Sequence, residues 1–356
     1  MHQSRQLAPK GNQPDLPAIL AGNTTPVVRS RVEHFFSSLA SIFESWVGRR
    51  QSPNTQRAYR EDVMAFVKFM GFAWPDQAIK LLHVSVQDVR RFRGHLVTQN
   101  AAPKTLNRRI SSLSSFYKYL AAAAAELRLP IIVPNPAHSQ FISRESTDPR
   151  EETRALTAAR ARQLVGLPAG NSVIDYRDRA ILKFFLYSGA RLSTACRLKV
   201  SDFHQDGDEA TIRLHEKGDR RRTIGLHFQA AQAIFEYIEK AGLTAGSLFR
   251  PRLNSRSQKL GSSAMSAWTL WRAVEGYLEQ LPGAVKDEQL PDGSTARQSV
   301  YTPHSIRATT ATLLLDAGVD IIKVKELLGH AHITTTQIYD KRRRSTSESA
   351  SHLLAI

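Results

Sequence analysis

A single cysteine, Cys196, stands in a chain of 356 residues. That scarcity excludes an internal disulfide and any zinc site built from several thiolates. Beside Arg191, Cys196 is expected to be a buried, inert thiol. Long hydrophobic runs are missing too. The sequence has no stretch of the ~18 apolar residues that a spanning helix needs, and its N-terminus lacks the apolar core of a signal peptide. No membrane association is expected, and the cytoplasm, close to the nucleoid, is the expected location. Acidic residues are few beside basic ones, 32 against 49, which leaves a formal net charge of +17. An excess of that size points to a polyanionic partner, with nucleic acid first among the candidates. What is present is globular: 42% of the residues are hydrophobic, and the length suffices for two domains, each burying its own core.

Residues 1–30, rich in Gln, Asn, Pro and Gly, show no apolar period and are expected to form a flexible arm, with order beginning near Val32. Val32, Phe35, Phe36, Leu39, Phe43 and Trp46 then recur at helical spacing. Ser52-Pro53 supplies a cap and first-turn proline for a second helix. Ser85 with Asp88 opens a third, and Leu106, Ile110, Leu113 and Phe116 form the stripe of a fourth. These elements predict a helical domain over 31–136. The polar stretch 137–153 is expected to be a linker, followed by a second domain over 154–344 and a tail over 345–356. In the second domain Ala210–Leu214 and Arg222–Leu226 alternate like strands around Lys217-Gly218-Asp219. Helices are expected around 175–188, 228–241, 265–281, 304–317, 321–328 and 334–338, with 282–299 as a flexible insertion. The fold class expected is mainly α with a small antiparallel sheet (α+β).

Chemistry concentrates in a few residues. Arg191, Lys217, His304, Arg307, His330 and Tyr339 combine cations, imidazoles and a phenol. Such a set fits phosphodiester transfer. Arginines pair with the non-bridging oxygens where negative charge develops, histidines move protons or donate hydrogen bonds, and tyrosine is a nucleophile. A free tyrosine hydroxyl has a pKa near 10 and is only about 0.1% ionised at neutral pH, so it needs a proton acceptor or a strongly cationic pocket. Each residue alone has a structural alternative: His304 can cap a helix, His330 can pack after Gly329, Lys217 can be a charged turn, and Tyr339 can lie on an amphipathic surface. His330 and His332 lack a third ligand at sensible spacing, so neither a metal nor any other cofactor is expected.

The motifs resemble those of the phage integrase family of tyrosine recombinases. Ser188-Gly189-Ala190-Arg191-Leu192-Ser193 is similar to the first family box, and Glu216-Lys217-Gly218 with Arg222 to the β-hairpin lysine region. Pro303-His304-x-x-Arg307 is similar to the second box; Leu328-Gly329-His330-Ala331 with Thr335 and Tyr339 is similar to the third. Asn54-Thr55 with Tyr59, and Lys104 through Arg109, resemble the helical core-binding domain with its SAM-like fold. The resemblance implies that Tyr339 attacks the scissile phosphate to give a 3′-phosphotyrosyl link, and that Lys217 protonates the leaving 5′ oxygen. Arg191 and Arg307 would clamp the phosphate, His304 would take or relay the tyrosine proton, and His330 would hydrogen-bond the phosphate. It also implies double-stranded DNA carrying specific sites as substrate, a synaptic homo-tetramer, and room for directionality or host accessory proteins in integration, excision or transposition of mobile DNA. A type IB topoisomerase-like enzyme and a non-catalytic DNA-binding protein of the same fold are the alternatives.

Three positions depart from the family pattern, one of them Ala190 in place of the usual larger apolar residue. Thr194 stands where an acidic residue is usual, and Ala308 where histidine is frequent. The helical domain carries more cations than solubility requires, and Arg57, Arg60, Arg91, Lys104, Arg108 and Arg109 are the expected DNA contacts. The closing Leu353-Leu354-Ala355-Ile356, apolar after a polar spacer, is either a frayed tail or, as the resemblance implies, a segment that docks on a neighbouring protomer.

Overall fold

The computed structural model describes residues 25–146, 153–207, 209–216, 220–289 and 294–340. The chain divides into two compact units, Met1–Thr147 and Asp148–Ile356. Among the described residues no helix is long and apolar enough to cross a membrane. The fold is mostly helical with small antiparallel sheets.

The first unit opens with α1 (Pro26–Ser37) and α2 (Leu39–Gly48). Residues 1–24 of the expected arm lie outside the described residues, and α1 already starts ahead of Val32: Thr25 caps it, accepting from the Val28 N–H at 3.4 Å, and Pro26 occupies the first turn. The stripe from Val32 to Trp46 is divided between two helices, because the Ser37 hydroxyl donates to the His34 carbonyl and the chain turns at Ser38. Both helices still present that stripe to one core. Then come α3 (Pro53–Phe69), a 3-10 turn (Ala78–His83), α4 (Val86–Thr98) and α5 (Pro103–Glu126). The expected capping box of α4 is present, with the Ser85 N–H donating to Asp88 at 2.8 Å and the Asp88 N–H to the Ser85 hydroxyl at 3.2 Å. Aromatic rings fill the centre: Trp46 and Phe43 are fully buried, and Trp46 stacks on Tyr59 at 4.8 Å between centroids. Ala137 and Ile142, within the stretch expected to be a linker, are buried in this same core.

The second unit contains α6 (Ala158–Gly166), α7 (Val173–Ser188) and the short α8 (Leu192–Ala195). A three-stranded antiparallel sheet follows, β1 (Phe203–Asp206), β2 (Glu209–His215) and β3 (Arg221–Gly225), in the order β1-β2-β3. Register sets Ile212 opposite both Phe203 and Ile224, so Ala210, Ile212 and Leu214 point into the core while their neighbours face outward. Then come α9 (Phe228–Ala241), α10 (Ala267–Leu278), the hairpin β4 (Val285–Gln289) and β5 (Thr295–Ser299), α11 (Pro303–Asp316), α12 (Ile321–Leu328) and α13 (Ile333–Gln337).

Two expectations are corrected here. The sheet has a third strand, β1, and the segment expected as a flexible insertion forms the β4–β5 hairpin, with Asp287 opposite Arg297. Its charged, mostly exposed residues carry no apolar alternation to read. A small cluster of Ala311, Leu315, Val324 and Leu328 joins α11 to α12, and Tyr339 packs against it.

Candidate active site

Helix ends build the site. α7 stops at Gly189, which adopts φ +57°; a Cβ there would lie 2.5 Å from Leu328 Cδ2, so only glycine lets the two helix ends meet. Ala190 follows, and Arg191 is the N-cap of α8. On the other side α12 stops at Gly329, φ +66°, which delivers His330. α11 starts at Pro303, with the Thr302 N–H donating to the Ser305 hydroxyl at 3.1 Å, and carries His304 and Arg307 in its first turns.

Arg307 is 2% exposed. Its Nη1 donates to the Gly189 carbonyl at 2.5 Å and its Nη2 to the Leu328 carbonyl at 2.8 Å. The guanidinium thus lies between the C-terminal ends of α7 and α12, where carbonyl dipoles favour a cation. Among the described residues no carboxylate bonds it. Burial, and next the Arg191 cation, push its pKa down to about 10, while Tyr339 and Glu216 act in the opposite sense.

Arg191 is half-buried beside it. Its Nη1 donates to Glu216 Oε1 at 3.3 Å and its Nη2 to the Gly329 carbonyl at 3.4 Å. Glu216, just beyond β2, also accepts from Arg222 Nη2 at 3.2 Å. The end of β2 is itself anchored: buried Asp202 forms an ion pair with Arg213 Nε at 3.3 Å and lies 3.1 Å from His215 Nε2.

His330 is buried, its Nδ1 2.8 Å from the Thr336 hydroxyl and its ring stacked with Tyr339 at 6.1 Å and 15°. Burial first, then Arg307 and Arg191, with smaller contributions from His304 and Arg222, lower its pKa to about 3. The imidazole is therefore neutral at physiological pH. A histidine depressed in the folded state leaves stability intact above its unfolded pKa of 6.5. Stability falls as pH drops from 6.5 towards 3, because only the unfolded chain then takes up the proton. Between pH 7 and pH 5 this amounts to about 2 kcal/mol. Urea unfolding without DNA at both pH values should show that loss in the wild type and not in His330→Gln; equal losses in both would contradict the assignment.

The structure brings Arg191, Arg307, His330 and Tyr339 together. His304 is exposed at the start of α11, near enough to bear on the charge of His330. Lys217 lies outside the described residues, between Glu216 and Arg220. Cys196 is half-buried, and burial pushes its thiol up. Thr194 is buried, its N–H donating to the Arg191 carbonyl at 2.9 Å, and Ala308 is buried as well.

The expected DNA contacts all belong to the first unit. Arg57 is exposed with a distant partner in Glu61 at 4.0 Å, and Lys104 is exposed. Arg60 forks onto Glu44, Nη2 to Oε2 at 2.6 Å, and Arg91 pairs with Asp88. Arg108 donates to buried Asp62 at 2.8 Å, while Arg109 has its Nε buried without a protein partner. Their clustering at helix starts, and for Lys104, Arg108 and Arg109 the family resemblance, had pointed to these six; acidic neighbours engage at least four of them.

Three residues of the site were not singled out from the sequence. Glu216 and Arg222 stood in a motif but carried no assigned role. Thr336, fully buried, holds His330, whereas Thr335, the position matching the motif, is exposed. A helical wheel of α13 would have separated the two threonines.

Comparison with known proteins adds the relatives. The phage integrase family matches residues 154–345, and the phage integrase N-terminal SAM-like domain matches residues 44–124. A tyrosine recombinase XerC from Lacticaseibacillus casei is 30% identical over 302 residues, covering 82% of this chain and 89% of the relative. One from Roseiflexus castenholzii is 29% identical over 335 residues, covering 90% and 92%. Among solved structures, XerH recombinase bound to palindromic difH in a post-cleavage complex aligns with TM-score 0.64 at 17% identity, covering 91% of this chain and 95% of that one. A lambda integrase dimer bound to a COC′ core site aligns with TM-score 0.60 at 18% identity, covering 91% and 83%. At these identities the structural matches speak to the fold.

Proposed function

Because the chain belongs to the phage integrase family and is thereby a site-specific DNA recombinase, we propose that it cleaves and rejoins duplex DNA through a covalent bond to Tyr339. The phenolic oxygen of Tyr339 attacks the scissile phosphorus, a P–O(tyrosyl) bond forms, and the bond to the 5′ oxygen breaks. Lys217 gives that oxygen its proton, and His304 receives the proton of the phenol. Arg191 and Arg307 balance the charge that grows on the non-bridging oxygens, and neutral His330 donates a hydrogen bond there. Since the phosphotyrosyl ester conserves the energy of the phosphodiester, a 5′-hydroxyl from a second duplex reverses the step without ATP or metal.

One observation carries this reading: Arg307 is a buried cation that, among the described residues, bonds only helix-end carbonyls and no carboxylate. Taking a charge out of water is costly unless a counter-charge arrives. A phosphate in contact with Arg191 and Arg307 supplies one. Basic residues of the first unit, Arg57, Arg60, Arg91, Lys104, Arg108 and Arg109 among them, hold the flanking duplex. Exchange between two sites places four protomers together, in integration, excision or transposition of mobile DNA, in the cell compartment that holds that DNA.

The test is to incubate the protein with a supercoiled plasmid bearing two candidate sites, in EDTA and without ATP. Exchange of flanking segments is the expected product. Relaxation without exchange would make the protein topoisomerase-like, and retardation of DNA without covalent chemistry would make it a binding protein.

The segment Leu353–Ile356 lies outside the described residues. We propose that it docks on a second copy, in the apolar groove lined by Ala161, Val165, Leu186, Leu313, Leu314 and Leu327. The sixteen residues following Asp340 support this, basic at first and apolar at the end. Removing Leu353–Ile356 should reduce paired-site exchange by about tenfold or more while single-site cleavage holds, as expected when one apolar anchor of a few kcal/mol is lost. Unchanged exchange by the truncated chain would rule the docking out.

A further inference from the structure

Among the described residues Glu216 is the carboxylate bonded to Arg191 and Arg222, and its surroundings are tightly built. Its side chain is 9% exposed, and one oxygen, Oε1, accepts from both Arg191 Nη1 at 3.3 Å and Arg222 Nη2 at 3.2 Å. Its carbonyl accepts from Arg197 Nη1 at 3.3 Å, and its N–H donates to the Arg220 carbonyl at 2.8 Å, just beyond the end of β2. Gly329 runs directly over the carboxylate: a Cβ there would stand 2.7 Å from both Glu216 oxygens and 2.9 Å from Arg222 Nε. The same Gly329 offers its carbonyl to Arg191 and is followed by His330. Arg222 Nη1 in turn donates to the Glu326 carbonyl at 3.1 Å, in the last turn of α12.

We infer that Glu216 is a positioning residue for the transesterification: its carboxylate fixes the Arg191 guanidinium for the phosphate and ties it to the hairpin end that bears Lys217. This rests on the recombinase reading of the site. Arg191 and Arg307 carry like charges, and free of restraint the half-exposed Arg191 would swing towards solvent. A carboxylate behind it removes part of that repulsion and selects one rotamer. Arg307 needs no such help, since two helix-end carbonyls already hold it. The closeness of Gly329 also accounts for glycine in the Leu328-Gly329-His330 motif, beyond its left-handed φ. A larger residue would push Glu216 and Arg222 away from Arg191.

The test uses the full chain and a nicked suicide duplex under single-turnover conditions, with DNA affinity and melting temperature measured alongside. Glu216→Gln keeps the size and one acceptor but removes the charge, and should slow cleavage about 10²-fold, the scale of a misplaced reacting group, with DNA affinity and melting held. Glu216→Asp, which keeps the charge, should recover most of the rate. In an Arg191→Ala background Glu216→Gln should change the rate by no more than about twofold, because the two act as one unit. Wild-type or faster cleavage by Glu216→Gln would overturn the inference, as would the same loss in both backgrounds. So would losses that track melting temperature in both Glu216 variants, which would make it a fold anchor. If the unmodified chain forms no adduct on a duplex whose site it binds, the recombinase reading fails instead.

Discussion

Arg307→Ala should lose DNA cleavage by about 10³-fold or more while the protein still folds. The stability side is a difference of opposed terms. Truncation strips the Gly189 and Leu328 carbonyls of their donor, at about 1–3 kcal/mol for each buried group left unpaired. Against that, the fall of the Arg307 pKa from 12.5 to about 10 means the fold holds this cation at a disadvantage of roughly 3 kcal/mol. That penalty disappears with the side chain. The net change should therefore be a few kcal/mol at most. Nothing offsets the catalytic loss, because no other guanidinium is held between the two helix ends. Arg307→Lys keeps a charge without the planar fork, so it too should remain far below wild type. Thermal unfolding and single-turnover cleavage, measured on the same preparations, separate the two effects. A variant that cleaves within tenfold of wild type would remove Arg307 from the phosphate site.

Tyr339→Phe should abolish the covalent complex, a loss of at least about 10⁴-fold when a nucleophile is removed, and leave DNA affinity and melting unchanged. The phenyl ring keeps its place against the Ala311, Leu315, Val324 and Leu328 cluster and its stack on His330. What goes is the one oxygen able to form the ester. This variant is thus the cleanest separation of binding from chemistry available in the chain. Arg191, Arg307 and His330, the proposed phosphate cradle, remain, so the variant should hold its DNA uncleaved. Gel retardation at two salt concentrations checks the binding half: retention that weakens with salt equally in wild type and variant is expected.

The residues proposed to carry the chemistry could be picked out as a set because their spacing is rigid. Gly189 and Gly329 end helices in left-handed turns, so Arg191 and His330 must follow at fixed offsets, and Arg307 must come one turn after His304 in α11. Helix stripes and caps were legible for a similar reason: Ser85-x-x-Asp88 and Ser172-x-x-Asp175 state the starts of α4 and α7 in local code. What could not be read depends on contacts between distant segments. Glu216 gains its role only when the end of β2 meets Gly329. Asp62 takes Arg108 only when α3 packs on α5, and no count of cations reveals that pairing. Thr336 rather than Thr335 holds His330 because of where α13 turns, a matter of one helical position. The β4–β5 hairpin has no apolar face, so its strands leave no pattern in the sequence at all.

The most direct test of the Tyr339 nucleophile is the site of covalent attachment. A nicked suicide duplex carrying a candidate recombination site would be incubated with wild-type protein and with Tyr339→Phe in EDTA. The trapped product would then be digested, and the DNA-linked peptide identified by mass spectrometry. Attachment of a 3′-phosphate to the peptide containing Tyr339, absent in the variant, is the predicted result. A complex that persists in Tyr339→Phe, or a linkage mapped to another residue, would contradict it.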